Sequence, residues 1–372
     1  MTKKTEASLT RQQAKTLIVG IQTPQNFSKN IESYFDEFKN LVRSNGVNPD
    51  HEVYIKLRQI DPAYFITKGK LDDLMKLCDQ EDIEEVIFSE PLLVQQERNL
   101  SDMLHARVFD RTKLILEIFE KGANSAEGKT QVAIAMLQHR KSRLAGHGHS
   151  MSQQAGSIGT RGPGETQKEK ETQHIEHLMN KLRRDLVQLR KVRDTQRKQR
   201  MSSNTNQVCL IGYTNAGKSS IINALTHSNV SAADRLFETL DTTTRELYID
   251  GKKIGVISDT VGFIQQLPHN LIEAFKSTLT ELQHAHLLLN VVDISDPNWE
   301  SHIAVVNSIL EELSVDKPIL YVFNKADKVA DFTIIDQHIA KYQPHVTIST
   351  LSPAGIEPLI NFLRNWHPES KK

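Results

Sequence analysis

Only two cysteines, Cys78 and Cys209, occur in the 372 residues, far apart and without metal-ligand partners beside them. That excludes a disulfide framework and gives no sign of a zinc site, and it suits a reducing compartment. No run approaches the ~18 apolar residues of a membrane span. The opening stretch MTKKTEASLTRQQAK has no apolar centre of the signal-peptide kind. A cytoplasmic protein without a membrane span, working as a monomer, is expected. Net charge is lacking too, because 46 Lys and Arg balance 46 Asp and Glu. The balance hides a segregation: residues 139–200 hold 15 Lys and Arg against 6 Asp and Glu. Concentrated cationic surface attracts polyanions and releases their counterions, so nucleic acid is the first partner to consider.

A hydrophobic share of 38% with 25% charged residues describes a globular protein, and the length suits two or three domains. Residues 1–121 read as a small α/β domain. TLIVGI and EVIFSE are buried-type strands, and Phe27, Ile31, Tyr34, Phe35, Phe38, Leu41 and Val42 recur at helical spacing before Asn45-Gly46 stops the helix. Leu71, Leu74 and Leu77 make a second stripe. This domain contains no phosphate loop, nucleophile constellation or ligand cluster, and a scaffold role is expected of it.

Residues 122–204 read as a helical hairpin. Its first helix, over about 124–144, carries Val132, Ala135 and Met136 on its apolar side. Its second, over about 165–200, is a charged rod with one seam of Ile175, Leu178, Leu182, Leu186 and Leu189. A rod with one seam needs one partner, and the preceding helix in antiparallel array supplies it. The tip between them is GSIGTRGPGE, 156–165, a glycine-rich loop without the lysine that a phosphate cradle requires.

Residues 205–372 alternate strand and helix: VCLIGY, KIGVISDT, LLLNVVD, PILYVFN and VTIS are buried-type strands, the pattern of a doubly wound, mostly parallel sheet. The stretch GYTNAGKS at 212–219 (Gly212, Tyr213, Thr214, Asn215, Ala216, Gly217, Lys218, Ser219) follows a strand and opens a helix. Gly212 and Gly217 let successive N–H groups turn inward around phosphates, Lys218 reaches the β and γ phosphates, and Ser219 offers a hydroxyl to Mg²⁺. Downstream, DTVG at 259–262 (Asp259, Thr260, Val261, Gly262) can hold the Mg²⁺ shell through Asp259 and meet the γ phosphate through the Gly262 N–H. NKAD at 324–327 (Asn324, Lys325, Ala326, Asp327) ends another strand. The Asp327 carboxylate can accept the ring N–H and exocyclic amine of guanine, a donor pair that adenine lacks. Ser349 and Thr350 complete the base pocket.

Between these motifs, FETLDTTTR at 237–245 is the segment expected to close over the γ phosphate, with Phe237, Glu238, Thr239, Leu240 and Asp241 against the nucleotide. Thr239 is the chosen ligand of the metal and γ phosphate, with Thr243 and Thr244 as rivals. Lys218, Thr239 and Gly262 are thus the expected catalytic groups, and Ser219 and Thr239 the metal ligands. Phe263 stands where efficient small GTPases carry a water-orienting glutamine, so slow intrinsic hydrolysis is expected unless Gln265, Gln266 or a partner completes the site.

With RVFDRTKLILEIF at 107–119, SIGTRGPGET at 157–166 and LPHNLIEAFKSTL at 267–279, these motifs resemble the HflX family of the Obg-HflX GTPase superfamily. The resemblance supports Thr239. It implies a GTP- and Mg²⁺-dependent enzyme that binds the large ribosomal subunit and its RNA, splits or rescues stalled ribosomes under stress, and lets go on hydrolysis. A GTP-switched RNA-binding assembly factor is the alternative. The glycine loop then reads as an RNA probe, with Arg161 pairing to a phosphate or base and Pro163 limiting the entropy lost on ordering. Thr242, Thr350, Gln153 and Ala155 depart from the family's usual residues, and the extra C-terminal domain of many members is expected to be absent.

Overall fold

The structure, a computed structural model, describes residues 14–24, 31–146, 163–202, 205–226, 236–237, 243–265, 281–329 and 331–367. Phe27 and residues 156–162 of the glycine-rich loop, Arg161 among them, lie outside that set. The chain divides into two compact units, Met1–Lys121 with Val132–Asp185, and Gly122–Gln131 with Leu186–Lys372.

In the first unit, four parallel strands lie in the order β2-β1-β3-β4: β1 Thr16–Gln22, β2 His51–Lys56, β3 Glu85–Phe88 and β4 Arg107–Phe109. Helices α1 Ile31–Ser44, α2 Lys68–Glu81, α3 Val94–Leu104 and α4 Arg111–Gly122 connect or follow them. The stripe read from the sequence is the buried face of α1 (Tyr34, Phe38, Leu41, Val42), and Gly46 at φ +83° turns the chain out of it. Leu71, Leu74 and Cys78 of α2 pack with Leu17, Val19, Val86 and Phe88 of the sheet in one core.

Charges are built into this unit's interior. Arg111, 1% exposed, pairs with Glu37 and lies 4.9 Å from the centre of the Tyr34 ring. The Tyr34 hydroxyl is within hydrogen-bond distance of Glu90 Oε1 (2.8 Å) and the Ser89 carbonyl (2.9 Å). Such a buried cation persists because its partners compensate for lost hydration.

Helices α5 Ala126–Gly146 and α6 Pro163–Ser202 form the middle region. Val132, Ile134 and Ala135 of α5 and Ile175 and Met179 of α6 are buried. Arg140–Glu171 (2.6 Å) and Lys141–Glu176 (2.7 Å) join the end of α5 to the beginning of α6. Arg143 of α5 reaches the Glu97 carboxylate and, at 2.8 Å, Asp110 Oδ2.

The second unit holds a six-stranded sheet in the order β10-β9-β8-β5-β7-β6. Its strands are β5 Asn206–Gly212, β6 Thr244–Ile249, β7 Lys252–Ser258, β8 Leu287–Asp293, β9 Ile319–Asn324 and β10 His345–Thr347. All pair in parallel except β6 with β7, a hairpin turned by Asp250-Gly251, both at positive φ. Helices described in this unit are α7 Lys218–Thr226, α8 Trp299–Glu312, α9 Thr333–Ile339 and α10 Pro353–Asn365. Strand β5 lies between β7 and β8, so the winding direction reverses at its carboxyl end, where open α/β sheets bind ligands. Among the described residues no helix is long and apolar enough to cross a membrane.

Candidate functional site

The carboxyl ends of β5, β7, β8 and β9 bring Gly212, Asp259, Asp293 and Asn324 to one edge of the sheet. Gly212 leaves β5 at φ +142°, and a Cβ there would lie 2.3 Å from the Val291 carbonyl oxygen. Gly217, at φ +96°, has the Asn324 side-chain nitrogen 2.2 Å from where its Cβ would be. Both positions therefore admit only glycine.

Lys218 opens α7 and is 6% exposed. Its Nζ donates to the carbonyls of Gly212 (3.2 Å) and Tyr213 (2.8 Å), lying along the inside of the loop. Burial pushes its pKa down to about 8, against the pull of the Asp259 carboxylate. Ser219 Oγ is 3.3 Å from Asp259 Oδ2, and Asp259 is fully buried. The other Asp259 oxygen accepts the Thr260 N–H at 2.9 Å, and Thr260 Oγ1 donates to the Leu210 carbonyl at 2.6 Å. A hydroxyl and a carboxylate side by side are hard oxygen donors of the kind Mg²⁺ takes, one or two from the protein and the rest from phosphate and water. Among the described residues no group of three or more His, Cys, Asp or Glu gathers as an all-protein metal cage.

Gly262 lies against the loop at Thr214 and Lys218. A Cβ on it would lie 2.8 Å from Thr214 Cγ2 and 3.0 Å from Lys218 Nζ, so its backbone approaches the loop without bulk. Val261 beside it is 5% exposed.

On the base side, Asn324 Nδ2 donates to the Ala216 carbonyl at 2.9 Å, and Lys325 Nζ donates to the Asn215 carbonyl at 2.8 Å. Lys325 also pairs with Asp293 at 2.6 Å. The Ala326 N–H meets the Ile348 carbonyl at 3.2 Å, Ser349 Oγ is 2.5 Å from Asp327 Oδ1, and Thr350 follows, half-buried. The two loops expected to grip the base are thus joined to each other and to the loop expected to hold the phosphates.

Phe237 is described, 4% exposed and at φ +60°; Glu238, Thr239, Leu240, Asp241, Thr242 and Gln266 lie outside the described residues. Of the rivals to Thr239, the Thr243 carbonyl accepts the Asp259 N–H at 3.0 Å. Thr244 begins β6, its hydroxyl 3.0 Å from that of Ser258.

Two further groups at this edge belong to none of the sequence motifs. Asp293 ends LLLNVVD and holds Lys325, and a carboxylate at a strand's end is the signal that could have found it. His302, on α8, lies flat against the Tyr213 ring; no sequence pattern marks it.

Family models match along most of the chain: a GTP-binding GTPase N-terminal model over 32–120, a GTP-binding GTPase middle region over 122–200 and a 50S ribosome-binding GTPase over 207–325. The GTPase HflX of Caldanaerobacter subterraneus subsp. tengcongensis is 40% identical over 321 residues, 86% of this chain and 74% of that protein. That of Escherichia coli is 39% identical over 329 residues, 88% of this chain and 77% of its own. Among solved structures, the complex of SsGBP with GDP aligns with a TM-score of 0.53 at 24% identity, covering 94% of this chain and 97% of that one; this likeness concerns the fold.

Proposed function

We propose, for a chain that belongs to the HflX family of GTP-hydrolysing, ribosome-binding GTPases, that it docks on the large ribosomal subunit in the GTP state, splits or rescues stalled ribosomes under stress, and is released by hydrolysis. The observation that carries this reading is one chain holding both a guanine-nucleotide site and a middle region with a segregated excess of Lys and Arg.

In the proposed cycle, Asp327 and Ser349 take the guanine edge while Asn324 and Lys325 hold the base loop to the phosphate loop. The inward N–H groups between Gly212 and Gly217 receive the phosphates. Lys218, already inside the loop, exchanges its two carbonyl partners for β and γ phosphate oxygens. Ser219 and Thr239 would supply hydroxyls to a Mg²⁺ and Asp259 would help to hold it, and the ion would neutralise charge on the β and γ phosphate oxygens. The Gly262 N–H faces the γ phosphate, and loss of that phosphate frees the segment around it. Phe263 is apolar and 2% exposed, so no side chain at that position orients water. Turnover by the isolated protein is therefore slow, and ribosomes raise it.

Two measurements test this reading. GTP turnover should rise by about tenfold or more with purified large subunits, and gradients should show 70S particles parting only when protein and GTP are both present. Turnover indifferent to ribosomes would refute the reading. Stimulation with intact 70S particles would leave a binding factor that does not split them.

A further inference from the structure

Interactions outside the nucleotide motifs converge on Tyr213. Its ring lies flat on the imidazole of His302, centroids 3.8 Å apart and planes 9° from parallel. Its hydroxyl accepts the backbone N–H of Gln265 at 2.7 Å. Its own backbone is zipped to Phe263: the Phe263 N–H reaches the Gly212 carbonyl at 3.2 Å, and the Phe263 carbonyl accepts the Thr214 N–H at 2.8 Å, a parallel bridge outside any named strand. Both stacked rings are 6% exposed. Burial holds the His302 pKa below its ordinary value, with Asp296 and Asp293 pulling the other way.

The stack sits on a fixed floor. His302 is in the first turns of α8, its N–H bonded to the Asn298 carbonyl at 3.1 Å, and the same helix packs Trp299 and Ile303 against Phe323 and Val292 of the sheet. A phosphate loop needs backbone, not bulk, yet here its second residue is a tyrosine whose ring points to α8 and whose hydroxyl holds the chain beyond Gly262. The geometry points to Tyr213 as a positioning residue for GTP hydrolysis, a strut standing on His302 that fixes, through Gln265, where the Gly262–Gln265 segment meets the γ phosphate.

Placement is what the strut supplies. With Phe263 unable to handle water, hydrolysis depends on how accurately backbone groups are set around the γ phosphate, and displacements near about 1 Å are costly there. Both peptide units that flank Phe263 are held by the loop backbone, and the one between Ile264 and Gln265 is held by the tyrosine hydroxyl. GDP, lacking the γ phosphate, makes no use of that segment. The inference rests on the proposed assignment of Gly262 to the γ phosphate.

Tyr213→Phe keeps the ring and its stack but removes the acceptor for Gln265. Single-turnover GTP hydrolysis should fall about fivefold to tenfold, the worth of one buried hydrogen bond, while KM for GTP and the affinity for GDP stay within about twofold. His302→Ala, which removes the floor, should lower hydrolysis to a similar extent, and His302→Phe, which restores an aromatic face, should recover most of it. Wild-type hydrolysis in Tyr213→Phe overturns the proposal, as does a loss of GDP affinity as large as the loss of rate. Gly262→Ala separates the two layers. If that variant hydrolyses GTP normally, the γ-phosphate assignment fails and the strut with it. If it is inactive while Tyr213→Phe is unaffected, only the strut fails.

Discussion

Lys218 is a buried ammonium whose neighbours are two carbonyls and, more distantly, the Asp259 carboxylate. Its pKa of about 8 lies below the ordinary lysine value of 10.5, so the folded chain holds this proton less tightly than the unfolded one. Stability from this group rises with pH between those two values and is flat below them. In the proposed complex, phosphate oxygens would restore the missing counter-charge and raise the pKa again. GDP binding near pH 8 should therefore take up about half a proton, and almost none near about pH 6, where Lys218 is already charged. Calorimetry in two buffers of different ionisation enthalpy measures this directly, and equal heats at pH 8 would contradict it. Asp327 offers a second test at this scale. If Asp327 accepts two guanine donors as proposed, Asp327→Ala should weaken GTP and GDP alike by about 10²-fold or more in equilibrium titrations, leaving ATP unimproved.

Motifs confined to consecutive residues are legible in the sequence because their chemistry is local: a glycine that must take positive φ, a lysine one residue on, a hydroxyl after it. Gly212, Gly217 and Lys218 are of that kind. The Tyr213–His302 stack is not, since it joins residues that only the winding of the sheet brings together. The same holds for Arg111 with Glu37 and Glu90. A charged residue reads as surface unless its buried partner is known, and these partners lie on different elements.

At the scale of elements, apolar periodicity carries most of what the sequence reveals. The long charged helix expected over about 165–200 spans Pro163–Ser202; in its seam Ile175 and Leu186 are buried, and Met179, outside the expected seam, is buried beside them. Strands β2 and β4 leave little trace in the pattern: β2 is an edge strand with mostly polar or half-exposed positions, and β4 has three residues. Strand β6 is hidden because TRELYI shows only one sheet face buried. What periodicity could not give is the attachment of α5. Arg143, in its last turn, bridges Glu97 and Asp110. Asp110 also accepts the N–H groups of Leu92 (3.2 Å) and Lys113 (2.8 Å), so one carboxylate ties the loop after β3, the start of α4 and the end of α5. Removing Arg143 leaves that buried carboxylate undercompensated. Arg143→Ala should lower hydrogen-exchange protection of the last two turns of α5 by about tenfold to a hundredfold while β1 and β3 keep theirs. Arg143→Lys should recover only part of it, since an ammonium cannot span both carboxylates as a guanidinium does. Unchanged protection in Arg143→Ala would show that apolar packing alone holds the helix.

For the whole molecule, the decisive property is a charge separation invisible in the total. The 40 residues of α6 extend about 60 Å at about 1.5 Å per residue, and Lys181, Arg184 and Lys191 on it are exposed. A rod of this kind adds little to folding stability, because exposed charges gain little from one another. Against a polyanion the same charges act together, each neutralised phosphate releasing counterions. If the middle region carries ribosome binding, cosedimentation with large subunits in a non-hydrolysable GTP analogue should weaken steeply as salt rises from about 50 to 200 mM. Replacing Lys181, Arg184 and Lys191 by Ala should flatten the plot of log Kd against log salt by about 0.7–0.9 for each phosphate that no longer meets a cation, with GDP affinity unchanged. Arg161→Ala within the glycine-rich loop should behave differently if that residue stacks on a base: affinity drops and the slope stays. A triple variant with wild-type affinity and slope would move the ribosome-binding surface off α6 altogether, and the segregation of charge would then need another explanation.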